Sequence, residues 1–349
     1  MVKQTGFIHS NLALQRDLCI LPGVVIIRLA LQLLASGPSD TLWPASALPA
    51  FQAASRLSLS GHYAQADSVA TALERTLRRE GSLLHATVDL TAFSDLHESA
   101  RLESARARLS SLDKELSDPK SARERFFAVL VLSQQSYLAT LESSSLSAAL
   151  SGRKAATLAQ DLVDEGYQNS ELQGILGGYW FWKAQTLGAL AGAFGGDTRD
   201  KGLDWTTRAA SSHSPYREVF RTSLLWMRFE RKEYAAALGV VQAARATLPE
   251  NRLLRQAEGD ILFRQNRFAE ALETYRTSFL EYRGLEPLPA NRLAAAGNLA
   301  RIHEAMGHAD SARSWIDTVD APRYAKVRKW LPPSLVRELE PVRKRLKQR

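Results

Sequence analysis

One cysteine, Cys19, stands in 349 residues, which excludes an internal disulfide and any cysteine-rich metal site. Proline is almost missing from the middle of the chain, where only Pro119 falls within residues 50–214. Those stretches are instead rich in Ala, Leu, Arg and Glu, which are strong helix formers. Segments in which β-branched residues alternate with polar ones are scarce, and this argues against a sandwich, a barrel or a parallel sheet. With 45% hydrophobic and 23% charged residues the chain has enough apolar matter for a core, so wholesale disorder is excluded. The expectation is an all-α protein.

A surplus of one charge sign is also missing from most of the sequence. The net charge is +8, but residues 320–349 hold ten basic and three acidic residues, so the preceding 319 residues carry only +1. The basic segment includes Arg343, Lys344, Arg345 and Lys347. Three readings are open for it: a solvated terminus, an attraction to an anionic membrane surface worth ~1 kcal/mol per basic residue, or nucleic acid. Aromatic interleaving is thin, with Tyr324 and Trp330 alone, and no nucleic-acid module accompanies it, so nucleic acid ranks last. Pro332-Pro333 sets this segment off, and Pro341 is expected to break it again.

Residues 18–36 are mostly apolar but are interrupted by Arg28, and a mid-span charge costs about 2.5–3.5 kcal/mol on insertion. As an export signal they read better, with Lys3 and Arg16 in front and the small residues of Ala35-Ser36-Gly37 behind. The 17-residue preamble is long for such a signal, so a second form of this expectation puts the biological start near Val24 or Val25, with Arg28 in the positive leader. The residues before Cys19 are not the small ones of a lipid-modified cysteine. The alternative is a buried first helix.

Self-comparison gives the strongest signal. Lys232-Glu233-Tyr234-Ala235-Ala236-Ala237-Leu238 returns 34 residues later as Asn266-Arg267-Phe268-Ala269-Glu270-Ala271-Leu272. Around that anchor Leu225 maps to Gly259, Val241 to Tyr275 and Ala244 to Ser278. A third copy, Gly307-His308-Ala309-Asp310-Ser311-Ala312, follows after a longer connection at residues 284–289. A fourth lies upstream at Gly61-His62-Tyr63-Ala64-Gln65-Ala66. A small residue where two helices cross, an aromatic opening the second helix and an alanine three residues on resemble the tetratricopeptide repeat family. The resemblance implies an α-solenoid of antiparallel helix pairs that bury their apolar faces only by stacking. It covers residues 215–319 well and 48–75 fairly.

Four stretches are therefore expected: residues 1–37 as export signal or apolar helix, 45–214 as divergent helical repeats, 215–320 as clear repeats, and 321–349 as the basic segment. In the middle, Asp118-Pro119 is expected to open a helix running to about Leu141. Residues 143–152 read as a Ser-rich break, followed by helices near 155–165 and 171–190. Gly195-Gly196-Asp197 reads as a turn, and Ser214-Pro215 as the start of the first clear repeat.

Motifs for chemistry are few. His303 and His308 flank Glu304 much as in a zinc protease motif, but they are five apart where that motif needs four, so no metal site is expected. Ser111…Lys114 and Ser151…Lys154 have acylating-enzyme spacing without the accompanying elements. No phosphate-cradling loop, dinucleotide fingerprint or nucleophile elbow occurs, so no cofactor is expected. In Gly177-Gly178-Tyr179-Trp180-Phe181-Trp182 four consecutive aromatics cover every side of a helix. That helix is either central core or offers a pocket at Tyr179 and Trp182.

The resemblance implies an inner face lined by the first helix of each pair, commonly a peptide groove. By spacing this face carries Thr222, Trp226 and Phe229, then Gln256, Asp260 and Phe263, then Arg301 and Glu304. The Lys/Arg/Asn cluster with which some family members clamp a terminal carboxylate is absent. The function expected is a non-catalytic scaffold of bacterial type, at the cell envelope or in the cytoplasm, that holds a segment of a partner protein. Two other readings stand beside it: an enzyme or small-ligand binder built around residues 179–182, and a structural assembly subunit.

Overall fold

A computed structural model describes residues 42–188, 196–212, 217–285 and 289–348; residues 18–36, Gly195 and Ser214-Pro215 lie outside them. Among the described residues every regular element is helical. The helices form seven consecutive antiparallel pairs: α1 (Leu48–Leu59) with α2 (Tyr63–Thr76), α3 (Arg78–Leu96) with α4 (Ser99–Glu115), α5 (Ala122–Leu141) with α6 (Ser145–Asp164), α7 (Ser170–Leu187) with α8 (Arg199–Ser211), α9 (Arg217–Glu230) with α10 (Tyr234–Thr247), α11 (Arg252–Arg264) with α12 (Phe268–Glu281), and α13 (Ala290–Ala305) with α14 (Ala309–Asp320). A last helix, α15 (Pro333–Lys347), covers the end. None is long and apolar enough to cross a membrane.

The turn inside five of the seven pairs has one construction, which explains why the repeat is readable there. The first helix ends on a left-handed residue: Gly61 (φ 84°), Ser143 (59°), Lys232 (62°), Asn266 (59°) and Gly307 (80°). The next amide donates back to the carbonyl five residues earlier, as in His62 to Leu57 (2.8 Å), Ser144 to Ala139 (2.8 Å), Glu233 to Arg228 (2.9 Å), Arg267 to Leu262 (3.0 Å) and His308 to His303 (2.8 Å). This Schellman closure satisfies carbonyls that a helix end leaves open. Five residues beyond the left-handed position, Ala66, Ala237, Ala271 and Ala312 are fully buried, where only a methyl group fits between the helices. Ala148 holds the same place after Ser143, which reveals a copy that the consensus residues hide.

In the α11–α12 pair a small residue faces a large one. A Cβ on Gly259 would come within 2.7 Å of the Tyr275 ring, so the glycine makes room for the tyrosine. One repeat earlier the matching positions hold Leu225 and Val241, both wholly buried in one cluster. The bulk comes from one helix in the α11–α12 pair and is shared by both in the α9–α10 pair.

Three sequence expectations are corrected. The helix expected from Asp118-Pro119 starts at Ala122, because Ser121 and Glu124 form a reciprocal capping box (Glu124 N–H to Ser121 Oγ 3.2 Å, Ser121 N–H to Glu124 Oε2 3.1 Å). The Ser-rich stretch is the start of α6, tied down where Ser136 Oγ donates to the Ala148 carbonyl at 2.7 Å. Pro341 sits inside α15 without breaking it. A proline there removes a single backbone hydrogen bond, and Leu335, Leu339, Val342 and Leu346 are buried along one face that holds the helix on α13 and α14.

First helices lie inside and second helices outside. In α3, α5 and α13 the residues 83–93, 126–134 and 293–300 are buried without interruption. The second helix α4 buries only Leu102, Ala105, Leu109 and Leu112. The helix that carries the four aromatics, α7, is threaded close to its neighbours: a Cβ on Gly174 would meet the Phe220 ring at 1.6 Å, and one on Gly177 would meet the Gly202 carbonyl at 2.8 Å.

Candidate functional site

The superhelix turns far enough to meet itself. In an open solenoid each repeat touches only its neighbours, yet here residues 157 to 197 positions apart are hydrogen bonded. Asp95, near the end of α3 and 3% exposed, accepts from Tyr63 Oη (2.7 Å), Tyr282 Oη (2.6 Å) and the Arg252 guanidinium (Nε 3.1 Å). Asn291 Nδ2 donates to the Ser94 and Asp95 carbonyls at 2.8 and 2.9 Å. Asn251 caps α11, where its Oδ1 accepts from Leu254 N–H at 2.9 Å, and its Nδ2 reaches the Leu59 carbonyl at 2.8 Å. Burial, then the charge of Asp95, pushes the Tyr282 phenol well above its ordinary range. Burial also lowers the adjacent His97 to about 4 against an opposing pull from Asp95, and its ring lies 6.1 Å from that of Trp330. This closure fills the inner face between α3 and α13.

Along α9 and α11 aromatic side chains of the inner face remain partly exposed. Trp226, Phe229 and Phe263 are half-buried there, with Glu230 and Arg264 exposed beside them. Trp226 and Phe229 meet edge to face at 5.4 Å. Phe229 and Phe263 rest on the aromatics that open the following helices, Tyr234 at 5.4 Å and Phe268 at 5.6 Å. The Arg301 guanidinium lies 4.5 Å from the Phe263 ring. Asp260 accepts a 2.5 Å hydrogen bond from Tyr275, and burial raises its carboxyl above the ordinary range despite that bond. Crowding by neighbouring side chains raises Glu230 as well, although it keeps contact with solvent, and the charge of Arg264 opposes the shift.

Other residues expected on this face are engaged in packing. Thr222 is buried and donates to the Glu218 carbonyl at 2.9 Å; Gln256 Nε2 donates to Ser278 Oγ at 3.2 Å and the Asn291 carbonyl at 3.0 Å. Arg301 pairs with Glu338 and Glu304 with Arg345, both on α15. In the basic segment Arg343 is held by Asp320 at 2.7 Å, whereas Lys344 and Lys347 are exposed. Tyr179 and Trp182 part company: Trp182 is buried with Phe181 and Met227, while Tyr179 is half-buried between α6 and α7 beside Trp180. Among the described residues no group of three His, Cys, Asp or Glu side chains is placed to hold a metal. Burial, then the neighbouring His308, lowers His303.

No family profile matches the chain, and neither does any curated protein. Among solved structures, NprR in complex with its cognate peptide NprX aligns over 86% of this chain and 85% of its own, with 13% identity and a TM-score of 0.51. The fold is a tetratricopeptide-type α-solenoid. Two other structures of this type align at lower scores. A tetratricopeptide repeat protein from Parabacteroides merdae has 15% identity over 84% of this chain and 100% of its own, with a TM-score of 0.39. The human IFIT1 dimer with m7Gppp-AAAA has 12% identity over 94% and 81%, with a TM-score of 0.41. Within the tetratricopeptide-type scaffold, Asp95, Arg252, Tyr282 and Asn291, which join distant repeats, are the residues that sequence reasoning missed. Their partners are too distant along the chain for any spacing rule to reach.

Proposed function

We propose that this chain is a non-catalytic scaffold that holds a segment of a partner protein on its inner face, between the ends of α9 and α11. The observation that carries the reading is the half-buried aromatic row of Trp226, Phe229 and Phe263, left uncovered where the rest of the inner face is packed shut. Aromatic edges give contact area at small entropic cost, and the flanking Glu230 and Arg264 supply polar contacts of either sign. NprR, whose structure includes a bound peptide, supports the idea that a solenoid of this type accommodates one. Export through residues 18–36 would place the scaffold at the envelope, and the exposed Lys344 and Lys347 would face an anionic membrane surface there. N-terminal sequencing of the protein from fractionated cells tests that location, with a chain starting near Pro38 as the expected product.

The test of the scaffold role is affinity purification with Trp226→Ala and Phe263→Ala beside the wild type. Both variants are expected to keep the wild-type circular dichroism and to lose the same partner. Retention of every partner by both folded variants overturns the reading.

A further inference from the structure

Away from the inner face, α6 and α7 leave between them a hollow of about 230 Å³, lined by Ala156, Thr157, Gln160 and Asp161 of α6 and by Leu176, Tyr179 and Trp180 of α7. The stripe of α6 that borders it runs on beyond the hollow. Residues 146, 150, 153, 157 and 160 follow one another at steps of three and four, so they share one face of the helix. Leu146 and Leu150 on that face are 72% and 52% exposed, the two most exposed large apolar side chains among the described residues. The helices are antiparallel neighbours, so the turn of α7 after Tyr179, which carries Lys183, lies alongside Leu150. The residues that line the hollow set this register, with Thr157 and Gln160 meeting Leu176, Tyr179 and Trp180.

The charges bordering this trough are of one sign at the leucine end. Arg153, Lys154 and Lys183 are exposed and have no carboxylate partner among the described residues. At the far end Glu165 is bound by Arg125 and Asp164 accepts from Gln160 at 2.7 Å, while Asp161 lines the hollow itself and is an acid that incoming carboxylates must avoid. An apolar floor with unpaired cations along its rim is complementary to a helix that has one apolar and one acidic face.

We propose that the α6–α7 trough is a second docking surface, separate from the inner face, for an acidic amphipathic segment of a partner protein. Apolar side chains of that segment enter the hollow against Leu176, Tyr179 and Trp180 and cover Leu146 and Leu150. Its carboxylates meet Arg153, Lys154 and Lys183.

The test is fluorescence anisotropy of the full chain with two labelled amphipathic helical peptides that share a Leu/Trp face, one with Glu and one with Lys on the other face. The Glu-faced peptide is expected to bind at least tenfold tighter. Leu150→Glu should weaken it tenfold or more, and Arg153→Glu with Lys183→Glu should erase the preference. These residues are exposed, so circular dichroism should not change. Trp226→Ala should leave this binding intact, which separates the trough from the inner face. Equal binding of the two peptides, or binding indifferent to Leu150→Glu, overturns the proposal. So does self-association of the chain, or flotation with phosphatidylglycerol vesicles, that Leu150→Glu abolishes in the absence of any peptide binding.

Discussion

Replacing Asp95 by Asn removes the one negative charge on which both ends of the superhelix converge. The carboxylate is 3% exposed and takes hydrogen bonds from Tyr63, Tyr282 and Arg252. An amide of the same size keeps one acceptor oxygen but turns an NH2 toward donors, and it leaves the guanidinium unpaired. Removing one member of a buried pair costs about 3–5 kcal/mol. The Arg252 side chain retains 18% exposure and lies 5.1 Å from the Tyr282 ring, so the stranded cation is partly solvated and the lower end, about 3 kcal/mol, is expected. Because the lost contacts join distant repeats, the damage should also show as shape. Urea titration should report the loss of stability, and small-angle scattering should report a larger radius of gyration as the closure opens. Asp89→Asn is the control. That carboxylate is buried and paired with Arg101 at 2.8 Å, but the pair joins only the adjacent helices α3 and α4, so stability should fall while the radius stays put. A D95N chain with wild-type stability and wild-type scattering would refute the reasoning.

Gly174→Ala should destabilise by about 3 kcal/mol, because the Phe220 ring at 1.6 Å is wholly buried and has nowhere to move, while Gly239→Ala meets nothing within 4 Å and should gain up to about 1 kcal/mol of helix propensity. Thermal melts of the two variants should move in opposite directions. Lys232→Gly relieves a left-handed residue on an exposed turn and should raise stability by about 0.5–1 kcal/mol, with no change expected if the turn were extended instead. His97 has a folded pKa depressed from 6.5 to about 4, so the unfolded chain binds more protons between those values. Its stabilising contribution is complete above about pH 6.5 and is lost as pH falls through 4, a change of about 3 kcal/mol. His97→Asn, which keeps a residue tolerant of the left-handed backbone, should flatten that part of the stability–pH profile.

The fold was legible wherever two helices of one pair meet. The turn residue, the alanine five positions on and the opening aromatic are all local, so a 34-residue offset exposed α9 to α12 directly. The same device at Ser143 and Ala148 escaped notice because Ser145 stands where an aromatic was sought. The boundaries of α5 and α15 were misread for opposite reasons. A capping box at Ser121 outweighed the proline at 119, and buried leucines outweighed the proline at 341. The expectation of Trp226, Phe229 and Phe263 on an inner face came from the repeat resemblance, with helical spacing choosing the residues. The closure around Asp95 was not legible, because nothing within a helix turn of an acid signals a partner about 190 residues away. Leu146 and Leu150 were likewise hidden in a stretch whose serines suggested a break.

The central claim, that a partner segment lies along the aromatic row, is tested most directly by photo-cross-linking from single sites in the full chain. Benzoylphenylalanine placed at Phe263 or at Trp226 is predicted to join the chain to one and the same partner protein, within a single short segment of it. The same group at Gln242, exposed on the outer helix α10, is predicted to give no such adduct. Adducts from Gln242 alone, or none from either inner position while the partner remains bound, would contradict the account.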